Sequence, residues 1–148
     1  MAATKRLSKI LHIREQEKHD AQKAYHHSQE LFEDVAVKLY TLLRTKEAAE
    51  ESYEGYLKQS TPITTIKEQL TYIEMLNKKI ISMQQSVEQA RNEMETNQRH
   101  LTNAHVEVKK FEKIIEIRRR EQDEIVRKNE KQAMDEIAIQ QYLGRKNG

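Results

Sequence analysis

The sequence predicts an all-α protein: an antiparallel two-helix coiled-coil hairpin with a long C-terminal helical overhang. Three observations predict it. Of 148 residues only three are Gly and one is Pro, which favours long helix over sheet or disorder. Charged residues make up 34% against 36% apolar, too little apolar surface for a globular core of this length but enough for one stripe per helix. Two apolar stripes with a seven-residue repeat lie either side of a break.

The first stripe reads Leu7, Leu11, Arg14, Lys18, Ala21, Tyr25, Ser28, Phe32, Val35, Leu39, Leu42, Lys46, Ala49, Tyr53, Tyr56. Eleven of these fifteen positions are apolar or aromatic. Lys18 and Lys46 either snorkel or specify register. Gly55 then weakens the helix and Ser60-Thr61-Pro62 breaks it. Thr65 and Glu68 fit a capping box, so a second helix is expected to begin there.

The second stripe reads Leu76, Ile80, Met83, Val87, Ala90, Met94, Asn97, Leu101, Ala104, Val108, Phe111, Ile115, Arg118, with eleven of thirteen apolar. Ile66, Leu70 and Ile73 join it through one short, stammer-like step. The expected organisation is a single domain over 1–148. Helix 1 spans about 4–58, the turn about 59–64 and helix 2 about 65–143.

A short break makes the helices antiparallel neighbours, facing Phe32 with Ala90, Ala21 with Leu101 and Lys18 with Ala104. Large residues then meet small ones, as a tight interface needs. Tyr25 would meet Asn97 as a polar partner for its phenol. The hairpin would be about 75 Å long, from about 50 paired residues rising 1.5 Å each.

Helix 1 supplies partner positions only as far as Arg118. From Arg118 to Glu124 seven consecutive residues are polar or charged. A solitary helix in water is expected to look like this, held by pairs such as Arg120–Glu124 and Asp123–Arg127.

Composition bounds the function. Lys and Arg number 26 against 24 Asp and Glu, a net of +2, which argues against a nucleic-acid binder. With no Cys there are no disulfides or thiolate metal sites. No apolar run approaches a membrane span, and MAATKRLSKILHIRE lacks a signal-peptide core, so a cytoplasmic protein is expected. Catalysis has little support: no Gly-rich phosphate loop exists, and the acids belong to solvated helix faces. No enzyme, cofactor, metal or small-molecule substrate is expected. His12, His19 and His26 recur every seven residues, too far apart along a helix to share one metal ion.

Two features exceed a plain coiled coil. Lys5, Arg6 and Lys9 come near Lys109, Lys110, Lys113 and Arg118–Arg120, making the open end basic. Glu47, Glu50, Glu51 and Glu54 make the first helix acidic near the turn. There Tyr40, Leu42, Leu43, Tyr56, Leu57, Tyr72, Ile73, Met75, Leu76, Ile80 and Ile81 outnumber what one seam hides, which marks a partner surface or self-association.

The segment VEVKKFEKIIEIRRREQDEIVRKNEKQAMDEIA, with Glu130, Gln132, Met134, Asp135 and Glu136, resembles the C-terminal signature of the FliJ family of bacterial flagellar export proteins. LSKILHIREQEKHDAQKAY is similar to that family's opening. The resemblance covers nearly the whole chain. It implies a two-helix coiled coil similar to the central stalk subunit of rotary ATPases. It also implies a coiled-coil component of the flagellar type III export apparatus, coupling the export ATPase ring to the cytosolic domain of the transmembrane gate. Assistance to export chaperones is implied too.

The family's partner-facing patch maps onto Leu39-Tyr40-Thr41-Leu42 and Tyr72-Ile73-Glu74-Met75-Leu76, with Met83 added along the seam, and this flank is expected here to meet the gate. Thr45, Ala49 and Lys79 do not continue it. Leu76→Asp with Tyr72→Ala is therefore expected to abolish gate binding and leave helicity unchanged. Arg118, Arg119, Arg120 and the Glu130–Glu136 motif are expected to meet the ATPase. The protein is expected to be monomeric when free and peripheral to the inner face of the membrane at the flagellar base. The alternatives are the equivalent stalk of a virulence injectisome and a self-associating coiled-coil scaffold.

Overall fold

The computed structural model describes residues 2–147, with side chains for 2–146. Helix α1 runs Ala2–Lys58 and α2 runs Ile63–Asn147. No strand occurs among the described residues. Long helix follows from the near absence of breakers: α1 passes through Gly55 without interruption, and a Cβ built there would meet nothing within 4 Å.

Pro62 makes the break. It has no N–H to extend a helical ladder, and it pushes Thr61 toward extended backbone. The Thr61 amide donates to the Gln59 carbonyl at 2.9 Å. The Pro62 carbonyl then accepts from the amides of Thr65 at 3.1 Å and Ile66 at 3.3 Å. Helix α2 therefore starts at Ile63, two residues ahead of the Thr65 capping box that the sequence suggested.

The chain divides into two compact units, one formed by Met1–Lys18 with Asn103–Gly148 and the other by His19–Thr102. In each, α1 packs against α2. Every position of the α1 stripe is buried or half-buried, and every position of the α2 stripe except Arg118.

In the unit of His19–Thr102, the core residues Ala49, Leu76, Ile80 and Val87 are at most 8% exposed. Ser28 is also buried in this seam, and its hydroxyl donates to the Tyr25 carbonyl at 2.8 Å, so no polar group is stranded. Asn97 Nδ2 donates to the Ala24 carbonyl at 3.3 Å, not to the Tyr25 phenol as expected. A second cross-helix amide corrects the seam near the turn. Gln69, not Leu70, takes the seam position, and its Nε2 donates to the Ala49 carbonyl at 3.0 Å. Leu70 is turned outward at 39% exposure. The heptad therefore runs Ile66, Gln69, Ile73, Leu76 with no stammer.

In the unit of Met1–Lys18 with Asn103–Gly148, Val108 and Ile115 are buried against the half-buried Leu7 and Leu11. The seam arginine Arg14 lies over the Phe111 ring at 5.8 Å and pairs with Glu17 at 3.0 Å. The same device occurs in the other unit with the helices exchanged, Arg91 of α2 lying over Phe32 of α1 at 5.8 Å. The chain has only two Phe, so each is covered by a guanidinium from the opposite helix. Lys46 resolves as a snorkelling seam lysine, its ammonium 3.6 Å from Glu50 on its own helix.

Beyond Arg118, every described α2 side chain is exposed except half-buried Gln122. Arg120 pairs back with Glu116 rather than forward with Glu124. The acid one turn N-terminal to the base is the better order, because it also complements the helix dipole.

Candidate functional site

The first candidate surface lies in the unit of His19–Thr102. Heptad spacing gives the α1–α2 pair two flanks beside its seam, one on each side. On one flank Val37, Lys38, Thr41 and Leu42 of α1 and Lys79, Ser82 and Met83 of α2 line a groove of about 470 Å³. Leu42 and Met83 are half-buried and form its apolar floor. Lys38 and Lys79 are exposed at its rim. By helical spacing, Tyr72 and Met75 continue this flank toward the turn, at 40% and 43% exposure.

The other flank presents Tyr40, Leu43 and Ile81, each more than 40% exposed. Arg44 covers the Tyr40 ring at 5.7 Å and donates to its hydroxyl at 3.3 Å. The expected crowding near the turn is therefore split between two flanks.

The sequence-derived gate residues fall in different places. Leu42, Tyr72 and Met83 lie on the groove flank. Leu39 and Ile73 are half-buried in the seam. Leu76 is 3% exposed and belongs to the core. This overturns the expected readout of Leu76→Asp: a carboxylate there would sit in the interhelical seam without a partner, and the helix pair would open. Val37, Lys38, Ser82 and Lys79 were missed as lining residues. The signal for Lys38, Lys79 and Ser82 was available, because they stand one turn or one residue before Leu42 and Met83; Val37, on the outer face of α1 at 63% exposure, carried none.

The second candidate surface is the α2 extension. Arg118, Arg119 and Arg120 are all exposed, and so are Glu130, Gln132, Met134, Asp135 and Glu136. Ile125, Val126, Ile137, Ile139, Tyr142 and Leu143 stand at 49–65% exposure beside them. Apolar side chains of this size on an unpacked helix are available to a partner.

His12, His19, His26, His100 and His105 are exposed. Among the described residues, no group of three or more His, Cys, Asp or Glu could hold a metal ion. No described helix is long and apolar enough to cross a membrane.

The family described as Flagellar FliJ protein matches residues 4–147. A curated relative, the Flagellar FliJ protein of Bacillus subtilis (strain 168), is 33% identical over 147 residues, which cover 97% of each chain. No solved structure matches the chain.

Proposed function

The chain belongs to the FliJ family of flagellar proteins, and from that premise we propose that it is a coupling factor of the flagellar protein export apparatus. In this reading it links the export ATPase ring to the cytosolic domain of the transmembrane gate and assists export chaperones at the inner face of the cell membrane. The observation that carries the reading is the α2 extension: the helix continues to Asn147, and of the side chains from 119 to 146 all are exposed but half-buried Gln122. A helix pays conformational entropy for such order without tertiary return, which suits a segment completed by a partner.

The extension, with Arg118, Arg119, Arg120 and the Glu130–Glu136 motif, is assigned to the ATPase. The groove flank of Leu42, Met83, Tyr72 and Met75 is assigned to the gate. Leu39, Ile73 and Leu76 act behind that flank by holding its shape.

The test is co-elution of the purified protein with the cognate export ATPase and with the gate's cytosolic domain, with light scattering in line. Complexes with both, formed from a free monomer of 17.6 kDa, are expected. A stable species of twice that mass that ignores both would replace the coupling role with self-association through the flank of Tyr40, Leu43 and Ile81.

A further inference from the structure

The two units differ in charge. Residues 1–18 and 103–148 carry 16 Lys and Arg against 11 Asp and Glu, a net of +5. Residues 19–102 carry 10 against 13, a net of −3. The two balances sum to the +2 of the whole chain.

Within the basic unit the charge is not spread evenly. Heptad spacing places Ile10 and Ile13 of α1 on the same flank as Ile114 and Ile117 of α2. Ile13 is 54% exposed and Ile117 45%, and Val106 continues the flank outward at 54%. Lys109, Lys110 and Lys113 of α2 line a shallow groove of about 740 Å³ here with His105, Val106, Ile114 and one acid, Glu107. Arg6 and Lys9 are exposed on the α1 side. Lys109 and Lys110 contact Glu112 and Glu107 at 3.4 and 3.9 Å, in exposed pairs that exchange readily.

We propose that this flank is a membrane-surface contact, on which Ile13, Val106 and Ile117 dip into the headgroup boundary and Arg6, Lys110 and Lys113 bind anionic phospholipid headgroups. The composition favours a lipid surface over a protein one. The flank has no exposed aromatic anchor, and its charges are mostly Lys. Protein interfaces are depleted in Lys and rely on aromatic and Arg anchors. Aliphatic side chains rimmed by long lysines are what an interfacial surface uses, because the stems lie along apolar atoms while the ammonium groups reach phosphate. Each base near an anionic leaflet adds attraction that falls off within a Debye length. Recruitment of this kind needs no protein partner, so it stands apart from gate binding.

The experiment is sedimentation of the full-length protein with vesicles of phosphatidylcholine containing about 30 mol % phosphatidylglycerol, against pure phosphatidylcholine. At about 0.1 M salt, affinity for the anionic vesicles should be roughly tenfold higher or more, and about 0.5 M salt should remove most of it. Lys110→Glu with Lys113→Glu should weaken binding roughly tenfold or more with helicity unchanged, since both side chains are exposed. Lys38→Glu with Lys79→Glu makes the same charge change in the other unit and should cost less than about threefold.

Equal loss in both variants would overturn the proposal, because binding would then follow net charge and not this face. No sedimentation of the folded wild type would overturn it too. If the wild type ignores vesicles while Lys110→Glu with Lys113→Glu loses ATPase co-elution, the flank contacts an acidic protein surface instead.

Discussion

Gln69 on α2 reaches across the seam to the main-chain carbonyl of Ala49 on α1, at 3.0 Å. A polar side chain thus holds a position that Leu70, its apolar neighbour, does not. The bond fixes register, because a slip of one turn would carry the amide past the carbonyl. Gln69→Ala should lower unfolding free energy by about 1 kcal/mol, read as a shift of the urea midpoint. An unchanged midpoint would mean that the aliphatic contacts alone set this register.

Leu76 sits in the core at 3% exposure, while Tyr72 and Met75 stand one turn or less away at 40% and 43%. Leu76→Asp should cost about 3 kcal/mol or more and visibly lower the thermal midpoint by circular dichroism. Tyr72→Ala with Met75→Ala should shift stability by less than about 1 kcal/mol and weaken gate binding. Full gate affinity in that double variant would move the gate contact to the flank of Tyr40, Leu43 and Ile81.

Gly55 is helical, and a Cβ there would meet open space. Gly55→Ala should raise stability by about 0.5–1 kcal/mol, chiefly by narrowing the unfolded ensemble. Destabilisation on a urea curve would show that the helix bends at this position when free in solution.

Truncation after Gln122 removes residues whose described side chains, 123–146, are all exposed. The urea midpoint should change by less than about 0.5 kcal/mol in free-energy terms. ATPase co-elution should be lost. Retained co-elution would shift the ATPase contact to the basic residues before Gln122.

Phe32 and Phe111 each lie under an arginine of the facing helix, Arg91 and Arg14. Arg91→Ala should cost about 0.5–1 kcal/mol in chemical unfolding, and Arg91→Lys should recover only part of it. Full recovery by Arg91→Lys would reduce the contact to simple charge.

The seam was legible in the sequence by itself. From Leu7 to Tyr56 and from Leu76 to Ile115 the heptad positions are the ones that lose exposure, and the α2 stripe ends at Arg118 as the loss of apolar spacing indicated. A period of seven is a property of one helix, so one sequence reveals it. Pairing across helices is not. That Gln69 displaces Leu70, that Asn97 meets the Ala24 carbonyl, and that Leu76 turns inward while Tyr72 stays at the surface depend on where the partner backbone runs. Hydrophobicity shows which residues seek cover. Only the facing helix decides which of them it covers and which it leaves for another molecule.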